Sequence, residues 1–168
     1  RWIYIADASS KVERQLCRFP GGIFGPMRWM PNNDGLAAGD YSGFVFSIDP
    51  DSGATFTQVT GLSRIQSKFD ISLDFRKVVF ERGFGTFYGP PIDICMFDIE
   101  TGSEQRLTRQ WETGDESRWP SLSPDGKQIV FVRANDLWVM NADGAGAHPI
   151  LEGIGRIAYP VWSPVIMY

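Results

Sequence analysis

Cysteine and histidine are scarce in this sequence, and their scarcity argues against two kinds of protein. The chain of 168 residues has two cysteines, Cys17 and Cys95, and one histidine, His148. A small secreted disulfide scaffold carries more cysteines, so we expect both to be buried free thiols. A zinc site would need carboxylates to complete its ligands, and no ligand spacing indicates one. We therefore expect no metal and no other cofactor.

Long apolar runs and runs of like charge are also missing. No apolar stretch reaches the roughly 18 residues that a membrane helix needs, so we expect the chain not to be transmembrane itself. The formal net charge is −4, the pI is about 5.0, and Lys and Arg are scattered along the chain. Without a basic stripe to meet a phosphate backbone, we expect no nucleic-acid partner.

The sequence also lacks any long segment that combines helical periodicity with helix-capping residues. Aromatic residues make up 14% of the chain, which also has 18 glycines and 11 prolines. This composition is typical of short strands joined by tight turns. The sequence therefore predicts an all-β protein.

An internal repeat organises these strands. Its clearest copy runs from Arg118 through Ser123-Pro124-Asp125-Gly126-Lys127 to Asn141-Ala142-Asp143-Gly144, and a gapless copy aligns Asp70–Phe80 with Ser121–Phe131. The matching positions Met30, Ser72, Ser123 and Ser163 are 42, 51 and 40 residues apart. Such periods are typical of propeller blades. The longest copy carries extra residues around 83–91, where a loop can grow at little cost.

The motifs Ser123-Pro124-Asp125-Gly126-Lys127 and Met140-Asn141-Ala142-Asp143-Gly144, with Trp162-Ser163-Pro164, resemble the TolB-like propeller repeat. The resemblance implies a β-propeller of four-stranded antiparallel blades, often found in bacterial envelope or secreted proteins. The repeat is a structural signature, so it implies no catalytic residues.

We expect one propeller domain over residues 1–168, with whole blades at about 23–61, 65–110 and 117–153. Residues 1–19 would give the outer strands, and residues 157–168 the inner strands, of a shared fourth blade that closes the ring. Within 157–168, strands are predicted at Tyr159–Ser163 and Val165–Tyr168. The alternatives are a fragment of a propeller with about six to eight blades, or a half-ring that pairs with another chain. The chain starts at Arg1, which leaves open a removed leader or a piece of a longer protein.

Candidate catalytic groups are weak. No Gly-x-Ser-x-Gly elbow occurs, and His148 is expected in an outer strand at the surface. Asp49-x-Asp51-x-Gly53 faintly resembles a calcium loop, but hairpin turn chemistry explains it as well. Paired acids for glycoside hydrolysis would have to come from the blade tops, where we expect solvated turn acids. These candidates are Asp40, Asp70, Asp93 and Asp136.

The first strand of each blade lines the channel of a propeller, which makes aligned positions there candidate binding residues. One level holds Arg28 and Asp70, a polar pair that is either structural or open to a polar ligand. Another brings Trp119 and Tyr159 beside Lys68 and Arg118, as core or as anchors for a partner. The level one residue after Arg28 and Asp70 is uniformly large and apolar, and we expect it to be core between blades. Its members are Trp29, Ile71, Leu122 and Trp162.

The inserted loop is the other candidate surface, because it carries Phe84, Phe87 and Tyr88 among glycines and prolines. These rings either tuck back onto the blade or contact a partner. Together these features favour a non-catalytic protein-interaction or scaffolding propeller. We expect it to be a subunit or accessory of a larger bacterial assembly that is associated with the envelope or with a membrane. We expect it in the periplasm or outside the cell. The alternatives are a lyase or hydrolase acting on a sugar or peptide in the channel, and a structural fragment of a larger propeller.

Overall fold

The computed structural model describes residues 2–7, 9–18, 27–30, 35–39, 44–52, 55–61, 65–84, 91–109 and 114–163. Every regular element among them is a β-strand. The strands are β1 (Trp2–Ala6), β2 (Glu13–Arg18), β3 (Arg28–Trp29), β4 (Leu36–Gly39), β5 (Phe44–Ile48), β6 (Thr55–Gly61), β7 (Ile65–Ile71), β8 (Lys77–Gly83), β9 (Ile92–Asp98), β10 (Glu104–Arg106), β11 (Ser117–Leu122), β12 (Gln128–Arg133), β13 (Asp136–Asn141) and β14 (His148–Leu151).

The strands form one two-stranded sheet, β1–β2, and three four-stranded sheets. In each larger sheet, four consecutive strands pair with their sequence neighbours, and every pairing is antiparallel. This is the meander expected of a propeller blade. The prediction of four-stranded antiparallel blades is thus confirmed, and the inserted residues lie between β8 and β9 as expected.

The chain divides into two compact units, Arg1–Ser63 and Arg64–Tyr168. The first unit contains β1–β6. Its core joins Ile3 of the β1–β2 hairpin to Leu36, Ala38 and Ile48 of the four-stranded sheet. Cys17 packs half-buried against this cluster, and burial raises its thiol pKa. The expectation of a single domain over 1–168, with a shared closing blade, stays a prediction.

The second unit contains β7–β14, and its two sheets pack face to face. Val79, Ile94 and Met96 of one sheet meet Leu122, Ile129, Phe131 and Met140 of the other in a single buried cluster. Alternate residues of each strand point to the same face, which is why Ile129 and Phe131 both enter this cluster. The two sheets are therefore held together by a buried apolar layer.

Equivalent turns close the first hairpin of each of these sheets. In one, Ser123 N donates to Gln128 O and the Ser123 hydroxyl donates to Asp125 at 2.6 Å. In the other, Ser72 N donates to Lys77 O and the Ser72 hydroxyl donates to Asp74 at 2.5 Å. The aligned third turn positions both have a left-handed backbone, with φ +68° at Gly126 and +57° at Phe75. Glycine adopts this conformation without strain, whereas phenylalanine does not.

The predicted strand at Tyr159–Ser163 does not form. Residues 152–163 contain no strand in the structure. Tyr159 has a left-handed φ of +55°, and Pro160 has no N–H to donate to a ladder. The second predicted strand, Val165–Tyr168, lies outside the described residues. Within the part of the chain that is described, no helix has the length and hydrophobicity of a membrane span.

Candidate functional site

Three side chains from successive repeats meet in the second unit: Lys68, Trp119 and Tyr159. The Trp119 and Tyr159 ring centroids are 5.2 Å apart with a 38° tilt, and Lys68 Nζ lies 4.8 Å from the Tyr159 ring centroid. Tyr159 is 61% exposed, while Lys68 and Trp119 are half-buried. The alignment of first strands placed these three at one level, and the structure brings them together. We call them the aromatic–lysine cluster.

The backbone at the cluster is irregular in the same way in two repeats. Trp119 and Tyr159 both have left-handed φ angles, +53° and +55°. In β11 the pairing register shifts between Arg118 and Ser121, which is a β-bulge. Bulges re-aim side chains, and here the bulge lies where the Trp119 ring meets Tyr159. Strained backbone of this kind persists only where surrounding contacts fix it.

The contact that fixes Trp119 comes from Glu81, a fully buried residue of β8. Its carboxylate accepts a hydrogen bond from the backbone N–H of Trp119 at 2.6 Å and lies 3.9 Å from Arg118 Nη1. Arg118 also donates through Nε to Glu116 at 2.6 Å. A buried carboxylate needs such partners to offset its lost hydration. Arg118 thus supports the cluster through ion pairs.

Asp70 accepts hydrogen bonds from β11, the first strand of the next repeat. It is buried in β7, where its carboxylate accepts hydrogen bonds from the Ser121 hydroxyl at 2.9 Å and from Leu122 N at 3.0 Å. Arg28 lies half-buried in β3 of the other unit. The Arg28–Asp70 pair therefore stays a prediction, while the bond to Ser121 joins two positions that the alignment put at one level.

The apolar level is core in the second unit only. Ile71 and Leu122 are buried, and Trp162 is half-buried with its indole N–H donating to Ser121 O at 2.9 Å. Trp29, however, is 48% exposed, so its assignment to the core is wrong in this structure. Its strand β3 has only two residues, and Trp29 lines an open cavity of about 630 Å³.

That cavity lies in the first unit beside the β1–β2 hairpin. Its walls are Ile5, Ala6, Asp7, Ser10, Val12, Arg14 and Trp29. The polar groups here have local partners: Asp7 accepts hydrogen bonds from Ser9 and Ser10, and Arg14 donates to Asp51 O at 3.2 Å. The hydrogen bonds from Ser9 and Ser10 hold the pKa of the Asp7 carboxyl well below its usual range. Asp7 and Arg14 at this cavity therefore already make hydrogen bonds with neighbouring turn residues.

The loop aromatics are only partly described. Phe84 is 40% exposed, and the Arg106 guanidinium lies over its ring at 3.7 Å from the centroid. Arg106 in turn donates through Nε to Asp93 at 3.0 Å. Phe84 is thus fastened to the blade by a cation–π contact, although part of the ring remains accessible. Phe87 and Tyr88 lie outside the described residues.

The acids proposed at the blade tops are not a set of solvated turn residues. Asp93 is fully buried in β9, where it also accepts the Thr108 hydroxyl at 2.8 Å, and Asp70 is buried as described above. Asp136 is half-buried and accepts Gly153 N at 2.9 Å, and Asp40 lies outside the described residues. The solvated-acid expectation is wrong for Asp70 and Asp93, because each has neighbouring donors that offset burial.

The remaining candidates have structural surroundings. His148 is exposed in β14, with Nδ1 2.8 Å from Gly146 O. Asp49 accepts Asp51 N at 2.7 Å within its own turn, as the turn interpretation requires. Cys95 is a buried free thiol whose pKa burial raises to about 12. Over the described ranges, no three His, Cys, Asp or Glu side chains form a group that could hold a metal ion.

Comparisons with known proteins identify the fold. An oligogalacturonate lyase solved in complex with manganese matches with a TM-score of 0.69 at 16% identity, covering 87% of this chain and 45% of the lyase. TolB from Acinetobacter baumannii matches with a TM-score of 0.53 at 14% identity, covering 97% of this chain and 62% of TolB. The fold is a TolB-like β-propeller. At these identities the likeness shows the fold alone.

Other matches agree with a propeller fold. The family model for the dipeptidyl peptidase IV N-terminal region matches residues 91–165 of the chain, which is less than half of it. An oligogalacturonate lyase from Vibrio parahaemolyticus matches with a TM-score of 0.61 at 14% identity, covering 86% of this chain and 44% of that one. Comparison of the sequence with curated proteins gives no match. This chain spans less than two thirds of the length of each of these solved structures.

Proposed function

We propose that this TolB-like chain is a non-catalytic protein-interaction module and acts as a subunit or accessory of a larger envelope-associated assembly, in the periplasm or outside the cell. The observation that carries the proposal is the aromatic–lysine cluster. Partly exposed aromatic side chains are typical anchors of protein interfaces, and Trp119 presents its ring from strand β11.

Two further features support a binding role. Glu81 and the β11 bulge fix Trp119 before any partner arrives, and a pre-organised surface loses less conformational freedom on binding. The buried acids Asp70, Glu81 and Asp93 each accept internal hydrogen bonds. Those acids are therefore committed to holding the fold, which favours binding over acid–base chemistry.

A photo-crosslinking experiment tests the proposal. A benzoylphenylalanine replaces Tyr159 in one sample and Ile150, an exposed residue of β14, in a matched control. Both are irradiated in extract of the cells that make the chain. We expect a discrete protein adduct from position 159 that is absent from position 150 and is lost when Trp119→Ala is added. Equal labelling at both positions would count against the cluster as an interface.

An activity assay separates this function from the enzymatic alternative. Incubation of the chain with oligogalacturonate, with and without manganese, is followed by the absorbance of unsaturated sugar ends. We expect no product above the buffer control. Turnover that Asp70→Asn or Asp93→Asn abolishes, without unfolding the chain, would overturn the non-catalytic assignment.

A further inference from the structure

The charge at the aromatic–lysine cluster indicates the chemistry of its ligand. Lys68 is half-buried, and its ammonium lies over the Tyr159 ring. Among the residues that the structure describes, no carboxylate lies within ion-pair distance of it. A ring face attracts an ammonium but does not neutralise its charge. An anionic group from a ligand would form a charge-assisted hydrogen bond with it.

The neighbouring charges are already matched. Arg118 pairs with Glu116 at 2.6 Å and with Glu81 at 3.9 Å. Glu81 also accepts the Trp119 N–H. Lys68 has no carboxylate partner among the described residues, whereas Glu81 and Glu116 pair with Arg118.

The rings beside Lys68 add an apolar requirement. Tyr159 is largely exposed, and Trp119 contacts it at 5.2 Å between centroids. One face of Tyr159 already holds the Lys68 ammonium, which leaves less free ring face for a flat sugar to stack on. The rings suit a compact apolar side chain next to a carboxylate. This combination favours an acidic peptide over an acidic oligosaccharide.

We infer that the aromatic–lysine cluster binds an acidic peptide segment of a protein partner. Lys68 pairs with an Asp or Glu carboxylate of the peptide, and Tyr159 and Trp119 contact the apolar side chain beside it. This inference rests on the proposed interaction function and names the chemistry of the partner at the same surface.

Fluorescence anisotropy with a labelled peptide of alternating glutamate and leucine tests the inference. We expect saturable binding, and weaker binding by at least about tenfold when glutamine replaces glutamate. Lys68→Met should weaken binding of the acidic peptide by a similar factor. Tyr159→Ala should weaken it, whereas Tyr159→Phe should retain it. The matched control is Lys127→Met, because Lys127 is exposed on the β11–β12 turn, away from the cluster in sequence.

Several outcomes would overturn the inference. They are the absence of acidic-peptide binding, equal binding of the glutamine peptide, and an effect of Lys127→Met as large as that of Lys68→Met. Binding of oligogalacturonate in place of the peptide would assign the cluster to a sugar acid instead. Thermal melts confirm that each variant folds, and Lys68→Gln provides a second, polar replacement.

The inference and the proposed function fail separately. If the adduct from position 159 persists in the Lys68→Met background and the peptides show no charge preference, the interaction surface stands and the acidic ligand is wrong. If no adduct forms at position 159, the proposed function itself is wrong.

Discussion

The Asp70 carboxylate accepts a hydrogen bond from the Ser121 hydroxyl at 2.9 Å, although 51 positions separate the two residues along the chain. Both residues are buried. The backbone carbonyl of Ser121 then accepts the indole N–H of Trp162. Residues of three successive repeats are thus connected through Ser121.

Replacing Asp70 by alanine should destabilise the chain strongly. The change leaves Ser121 Oγ and Leu122 N without their buried acceptor, and hydrogen bonds to a charged group contribute about 1.5–3 kcal/mol. We expect the free energy of unfolding to fall by about 3 kcal/mol, measured by urea denaturation. The control is Glu100→Ala, which removes an exposed ion pair with Arg76 and should cost less than about 1 kcal/mol. Equal losses would refute the buried bond as a stabilising contact.

Exchanging glycine and alanine at two left-handed turn positions should change stability in opposite directions. Gly126 has φ +68°, and a Cβ there would meet no atom within 4 Å, so Gly126→Ala tests backbone strain alone. We expect a loss of about 1–2 kcal/mol. Ala134 has φ +52° in the β12–β13 turn, where Ala134→Gly should relieve strain and stabilise the chain. Thermal melts of both variants measure this, and a shift of the same sign in both would contradict it.

The two thiols should differ in reactivity. Burial raises the pKa of Cys95 to about 12, so almost no thiolate exists at pH 8, and the side chain is fully buried. Cys17 is half-buried, with a pKa that is also raised. We expect a thiol reagent to label Cys17 slowly in the native chain and Cys95 only after unfolding in guanidinium. Mass spectrometry of Cys17→Ser gives the control, and rapid native labelling of that variant would contradict the structure.

The chain should lose stability in acid. Hydrogen bonds from the Ser72 and Ser123 hydroxyls are the main cause that lowers the pKa of Asp74 and Asp125 from 3.8. The unfolded chain then binds more protons than the folded one at low pH. The contribution is therefore complete above the unfolded pKa and is lost as pH falls through the folded value.

Melting temperatures between pH 6 and pH 2 test this linkage. We expect Ser123→Ala, which removes the main donor to Asp125, to flatten the acid-side decline and to lower stability at neutral pH. Glu100→Gln serves as the control and should follow the parent chain. An unchanged pH profile in Ser123→Ala would show that the Ser123–Asp125 bond contributes nothing to acid stability.

The repeat alignment predicted much of the second unit because turn chemistry and strand periodicity are local. Ser72 and Ser123 align and build equivalent turns, and Phe75 falls on the left-handed position that Gly126 occupies. The level that joins Asp70 to Ser121 also follows from the alignment. These features depend on short-range sequence and on a fixed spacing, both of which are visible without coordinates.

Glu81 was not recognised because its partner lies at a bulge in another strand. The alignment pairs Glu81 with Val132, which is buried. A charged residue at a position where the sister repeat has valine is a signal of a buried ion pair or hydrogen bond. The β11 bulge at Arg118–Ser121, which contains the donating backbone N–H of Trp119, has no comparable signal in the sequence.

The role of Asp93 was mistaken because the inserted loop shifts the hairpin. In the third four-stranded sheet, Arg133 pairs with Asp136 at the end of the ladder. In the preceding sheet, the ladder continues one pair further, to Gly83 and Ile92, so Asp93 lies within it opposite Arg82. Asp93 is therefore enclosed, where a solvated turn acid was expected.

The hydrogen bond of the Trp162 indole affects where repeats could be exchanged between related chains. The indole N–H donates to the carbonyl of Ser121, a residue of the preceding repeat, so the last repeat contributes a contact to its predecessor. A gene duplication or recombination cut at the repeat boundary would separate a blade from the tryptophan that packs on it. Exchange of blades between such chains should succeed when the breakpoint lies after this tryptophan. The segment that can be exchanged therefore ends later in the chain than the sequence repeat does.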